Sequence, residues 1–199
     1  MSRLKLIPIV VALMVPLGLA AHASQQGQQS KPKQDPQKQR GQERAKGTTG
    51  MTAPAFAEEA ASGGTMEVKL GQLAASKASD PEVKSFAQRM VTDHGKANAE
   101  LKKVAGQKSY SVSEEMNAKH KQMSDRLSKL SGIEFDREYM QMMVKDHEED
   151  VEKFKEASQS LDDPALKQWA SKTLPTLQQH LEQARKINAK LQDRAKEIK

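Results

Sequence analysis

Three of the five histidines in this 199-residue chain fall where core residues belong. His94 follows Asp93 in a stripe of Val83, Phe86, Met90, His94, Ala97 and Leu101, spaced three or four residues apart as on one face of a helix. His147 follows Asp146 in a second stripe, Phe135, Tyr139, Met143, His147, Val151 and Phe154. His180 stands beside Leu181 in a third that carries Leu166, Trp169, Leu177 and Ala184, while Glu67 interrupts a fourth of mostly small residues, Ala60, Gly63, Leu70, Gly71 and Ala74. Charges and unpaired imidazoles in an apolar interior are costly unless neutralised, hydrogen-bonded or bound to an ion. One carboxylate and three imidazoles form a set that Zn²⁺ or a copper ion accepts, so Glu67, His94, His147 and His180 are the candidate metal ligands.

Asp93, Asp146 and Glu182 each lie within two residues of one of these imidazoles and are candidates for extra ligands or for partners that orient the rings. Met90 and Met143 precede His94 and His147 by four residues, one helical turn. Thioether beside imidazole suits copper, although Met at this spacing is also ordinary core filler. Met116 and His120 repeat the pattern, but His120 sits in an apolar stripe between Met116 and Met123 and reads as structural.

The elements that must position these residues are all helical. Asp80-Pro81 and Asp163-Pro164 each offer a capping carboxylate followed by Pro at the first helical position. Ser111-x-x-Glu114 has the form of a capping box, and Gly106 and Gly132 are helix stops. These marks predict five helices, at about 56–78, 81–105, 112–131, 134–160 and 164–195. The segments DPEVKSFA at 80–87 and DPALKQWA at 163–170 match closely, so the first hairpin reads as a copy of the last, with the helix at 112–131 linking them. Two repeated helical hairpins joined by a linking helix are the plan of a ferritin-like four-helix bundle. Residues equidistant from a tight turn lie level at about 1.5 Å per residue. By that count Glu67 is level with His94 and His147 with His180, and the two pairs differ by about one turn. Pro175, one turn ahead of His180, removes a backbone hydrogen bond and is placed to bend its helix.

Residues 1–23 have a basic start at Arg3 and Lys5, an apolar run from Leu6 to Ala20, and Ala21-His22-Ala23. This is the form of a cleavable secretory signal. The run is interrupted by Pro8, Pro16 and Gly18 and is short for a membrane span. With no Cys in the chain there is no site for an amino-terminal lipid, so a periplasmic location is expected. Residues 24–52 are rich in Gln, Lys, Pro and Gly and are expected to form a disordered basic tether, followed by the bundle domain at 53–199. The net charge of +6 lies in the leader and tether, because residues 51–199 carry basic and acidic side chains in equal number. Such a tether suits an anionic envelope surface, and a neutral exported body argues against a specific nucleic-acid partner.

The motifs Gly64-x-x-Glu67-Val68, Asp80-Pro81-x-Val83-Lys84-x-Phe86-Ala87, Met90-Val91-x-Asp93-His94, Phe135-Asp136-x-x-Tyr139, Met143-Val144-x-Asp146-His147 and Leu174-Pro175-x-Leu177-x-x-His180 resemble one family. It is a family of exported bacterial proteins of unknown function, often labelled outer-membrane or membrane proteins. The resemblance covers about 56–192 and implies a ferritin-like fold and export, without bringing an activity. Di-iron ferritin-like enzymes would need Glu three residues before His94 and His180, where Val91 and Leu177 stand, so iron ranks behind zinc and copper. There is no nucleophile motif or phosphate loop, and no catalytic residue is expected. Two functions fit: a metal-binding bundle, with a role in metal handling or envelope stress, or a metal-free structural or interaction module of the envelope. A homodimer is compatible with either.

Overall fold

The computed structural model describes residues 50–197. The expected leader at 1–23, and the tether apart from residues 50–52, lie outside the described residues. The described chain forms five helices, α1 (Ala53–Lys77), α2 (Pro81–Gln107), α3 (Ala118–Ser128), α4 (Gly132–Ser160) and α5 (Pro164–Glu197), with no strand among them. The two Asp-Pro starts behave as expected. Asp80 Oδ1 accepts the backbone N–H of Glu82 at 2.7 Å, and Asp163 Oδ1 accepts those of Ala165 and Leu166 at 2.9 and 3.0 Å. Thr52 Oγ1 accepts the Ala55 N–H at 3.4 Å and caps α1, with Pro54 in its first turn.

α1 runs against α2 and α4 against α5, and the hairpins meet through α2 on α5 and α1 on α4. Two apolar clusters fill the interior. One gathers Met66, Leu70, Val83, Phe86, Met90, Phe135, Tyr139, Met143, Ile187 and Leu191. The other gathers Phe56, Ala57, Leu101, Phe154, Leu166, Trp169 and Leu177, with Phe56, Phe154 and Trp169 in mutual ring contact at 5.1–5.9 Å. On three of the long helices the change from one cluster to the other falls at a buried histidine, His94, His147 or His180, and on α1 it falls just before the buried Glu67. A polar layer thus separates two greasy ones.

Close approach of α1 and α2 depends on glycine. A Cβ at Gly71 would lie 2.9 Å from the Ala87 carbonyl oxygen and 3.0 Å from Val91 Cγ2, so no side chain fits there without the helices parting. The α1–α2 turn is tied to the other hairpin by Asp136, which is fully buried near the start of α4. Its carboxylate accepts the backbone N–H of Ser79 at 3.0 Å and of Asp80 at 2.8 Å, and also the Ser79 hydroxyl.

The linking helix is shorter than its pattern. The expected 112–131 contracts to Ala118–Ser128 because the Ser111–Glu114 box does not form. Glu114 instead pairs with Lys102 of α2, and the cap is Asn117, whose Oδ1 accepts the His120 N–H at 2.9 Å. Gly106 does not stop α2, which runs one residue further, and the left-handed residue after it is Ser109 at φ 56°. Gly132, at φ 56°, opens α4. His120 is structural, as expected: it is buried, and its Nδ1 lies 2.9 Å from Ser62 Oγ, fastening α3 to α1.

Candidate metal centre

The four residues singled out by spacing converge. His147 and His180 are fully buried, Glu67 is 1% exposed and His94 6%. The three imidazole rings form a nearly equilateral triangle, with centroids 5.5 Å (His94–His147), 5.2 Å (His94–His180) and 5.4 Å (His147–His180) apart. Each contributes a ring nitrogen within 4.8 Å of the other two. Glu67 Oε2 lies 2.6 Å from His94 Nδ1, and Oε1 lies 3.4 Å from His147 Nε2. Phe86 closes the apolar side, 6.4 Å from both the His147 and His180 rings.

Hydrogen bonds fix which nitrogen of two rings is free. His147 Nδ1 is 2.9 Å from the Met143 carbonyl oxygen one turn earlier on α4, which can only accept, so Nδ1 carries the proton and Nε2 the lone pair. His180 Nε2 is 2.8 Å from Asp93 Oδ2 on α2, and by the same logic its free lone pair is on Nδ1. Those two free nitrogens face each other at 3.4 Å. Ligand bonds of about 2.0–2.1 Å at a tetrahedral ion place neighbouring nitrogens about 3.3–3.4 Å apart. The separation is compatible with two nitrogens sharing one ion.

Electrostatics point the same way. Burial drives His180 and His94 down to about 4; neighbouring imidazole charge adds to this at His180, and acid charges from Asp150 and Asp93 oppose it at His94. His147 falls well below its ordinary value, through burial and then through the charges of His94 and His180. At neutral pH all three rings are uncharged, the form that binds metals. Burial lifts the Glu67 carboxyl well above its ordinary value. The raised carboxyl and the uncharged His94 ring meet at 2.6 Å, and His94 Nε2 and Glu67 Oε1 are left buried without hydrogen-bond partners. Orphaned buried polar atoms are rare and call for a missing partner.

The neighbouring acids divide. Asp93, partly exposed, is raised by burial, but hydrogen bonds from His180 and Arg89 outweigh this and hold it ionised. Asp146 is 8% exposed, its Oδ2 has no partner, and it brings a carboxylate oxygen within 4.8 Å of ligand atoms on Glu67 and His147. Glu182 does not join them: its side chain points to solvent and pairs with Lys186 at 2.6 Å. Two residues after His180 on a helix is about 200° around the axis, which sends Glu182 to the opposite face. Met90 and Met143 are buried in the apolar cluster with Leu70 and Phe86, and the Met143 carbonyl oxygen accepts from His147 Nδ1. Asp150 was missed by sequence reasoning. Burial and the charge of Glu67 lift it to about 7, and its spacing of four from Asp146 was the available signal. The buried Tyr139 hydroxyl also lacks a partner.

The model of the DUF4142 family, a domain of unknown function, matches residues 19–187. The chain belongs to that family. No curated protein matches this DUF4142 chain. Among solved structures it resembles CopM in the Cu(II)-bound form, with 20% identity, a TM-score of 0.61, and coverage of 71% of this chain and 99% of that one. It also resembles a DUF305 protein from Streptomyces coelicolor, with 15% identity, a TM-score of 0.60, and coverage of 70% and 94%. At these identities the likeness is one of fold. None of the described helices is long and apolar enough to cross a membrane.

Proposed function

We propose that this DUF4142 domain is a ferritin-like four-helix bundle that binds one transition-metal ion through His94, His147, His180 and Glu67, copper ahead of zinc and both ahead of iron. The observation that carries the reading is the pair of lone pairs facing each other at 3.4 Å between His147 Nε2 and His180 Nδ1. Two acceptors repel unless a cation lies between them, and burial denies these rings a proton at neutral pH. Three neutral imidazoles and an acid that ionises as the ion binds would satisfy the layer without leaving net buried negative charge. Asp93 acts here as the carboxylate that holds the His180 ring in the ligating tautomer. Copper is placed first because imidazole nitrogen suits it and because one similar fold, CopM, is known in a Cu(II)-bound form.

In this reading the leader at 1–23 exports the protein to the periplasm, the tether at 24–52 touches anionic envelope surface, and the bundle buffers metal or supports tolerance of envelope stress. Metal content of protein purified from the periplasm without chelators tests it. About one equivalent of copper or zinc, lost in His147→Ala, is the expected result. Metal-free protein whose stability is indifferent to added copper and zinc would instead identify a structural envelope module.

A further inference from the structure

Resting on the metal-binding reading, we propose that the ion reaches the centre through the cavity between α3 and α4, and that Asp146 is the carboxylate that captures it there and passes it to Glu67 and His147. The cavity is about 350 Å³ and is walled by Met123 and Gln122 of α3 and by Met142, Asp146 and Glu149 of α4. Asp146 belongs to both spaces. It lines this cavity, and its carboxylate also brings an oxygen within 4.8 Å of ligand atoms on Glu67 and His147. It is 8% exposed, with Oδ2 buried and unpartnered, an expensive state for an acid that only fills space. A cation in transit supplies the missing partner.

Of the three cations around the mouth, two are paired with other acids. Lys119 pairs with Glu149 at 3.5 Å and Arg126 with Glu138, both bridging α3 to α4, while Lys145 is exposed. On the opposite side, between α2 and α5, the acid nearest the polar layer is already engaged. There Asp93 is already bonded to His180, and the Arg89 guanidinium lies over it at 3.2 Å, steadied by Gln179 at 2.9 Å and Gln183 at 3.1 Å. Lys96, Glu100 and Lys172 also line that side. The linking helix is thus more than a connector: it forms one wall of the port.

A transit residue changes how fast an ion moves and leaves the end state alone, whereas a resident ligand changes affinity through dissociation. Stopped-flow loading of the full metal-free protein with Cu(II), and with Zn(II) against a chromophoric chelator, separates the two. Asp146→Asn is expected to slow association and dissociation together by tenfold or more, with Kd within about threefold of wild type. Gln122→Trp, which narrows the port from an exposed position on α3 without touching the polar layer, is expected to slow loading in the same way. Unchanged loading rates in both variants would overturn the route, as would an Asp146→Asn protein that only dissociates faster and binds more weakly. If the wild-type protein takes up neither ion, the metal-binding reading itself fails and the route with it. Wild-type binding with variants at full speed sinks the route alone.

Discussion

Glu67→Gln should make the metal-free protein more stable and the metal-loaded protein less so. Glu67 is 1% exposed, and burial raises its carboxyl well above the ordinary value of 4.5. A group whose pKa is higher folded than unfolded contributes stability that is intact below the unfolded value and lost as pH rises toward the folded one. Over that window the loss runs at about 1.4 kcal/mol per pH unit for one proton. Gln has no proton to lose and can still donate an N–H to His94 Nδ1 in place of the acid O–H. The three imidazoles, with their lowered values, have the opposite slope: their contribution is intact above about 6.5 and is lost as pH falls, for His94 and His180 toward about 4. They are common to both proteins and largely cancel in the comparison. Urea unfolding in the presence of chelator at pH 5, 6, 7 and 8 should therefore show a variant-minus-wild-type difference that grows in favour of Gln by about 1.4 kcal/mol per unit until Glu67 ionises. With saturating copper or zinc the order should invert, because only the carboxylate can neutralise the ion. A difference that stays flat across this pH range, or that keeps its sign when metal is added, would refute the reasoning.

Asp93→Asn removes the ionised acceptor of His180 Nε2–H and should weaken metal affinity about 10- to 100-fold by competition titration, with little loss of stability, since Asp93 is partly exposed. Gly71→Ala places a methyl group against the Ala87 carbonyl and should lower unfolding free energy by about 1–3 kcal/mol in urea titrations. Gly64→Ala, which meets only the movable Asn98 side chain, should cost much less. Asp136→Ala strips the acceptor from the Ser79 and Asp80 backbone N–H groups and should cost about 2–3 kcal/mol by the same measurement.

The sequence held more of this site than is usual because the four residues break apolar stripes at matched distances from two similar turns. Helix periodicity places a residue on a face, and an Asp-Pro turn sets the height, so depth and direction could both be reckoned for Glu67, His94, His147 and His180. What could not be reckoned depends on neighbours far away in the chain. The Ser111–Glu114 box failed because Glu114 has a better partner in Lys102, and no local rule shows Lys102. Asp136 resembles any early-turn acid until the Ser79–Asp80 turn is seen lying across it. Glu182 was suggested by nearness in sequence, which on a helix puts residues two apart on opposite sides. Asp150 matters because it feels the charge of Glu67 and its own charge is felt by His94, a relation among three helices that no single stripe records.

Crystals of the protein grown with Cu(II) and measured on both sides of the copper absorption edge would test the central claim most directly. The account predicts one strong anomalous peak about 2.0–2.3 Å from His147 Nε2 and His180 Nδ1, with the rings in the orientation seen here and Asp93 still bonded to His180. Peaks confined to surface side chains, with the buried imidazoles still facing one another and nothing between them, would contradict it.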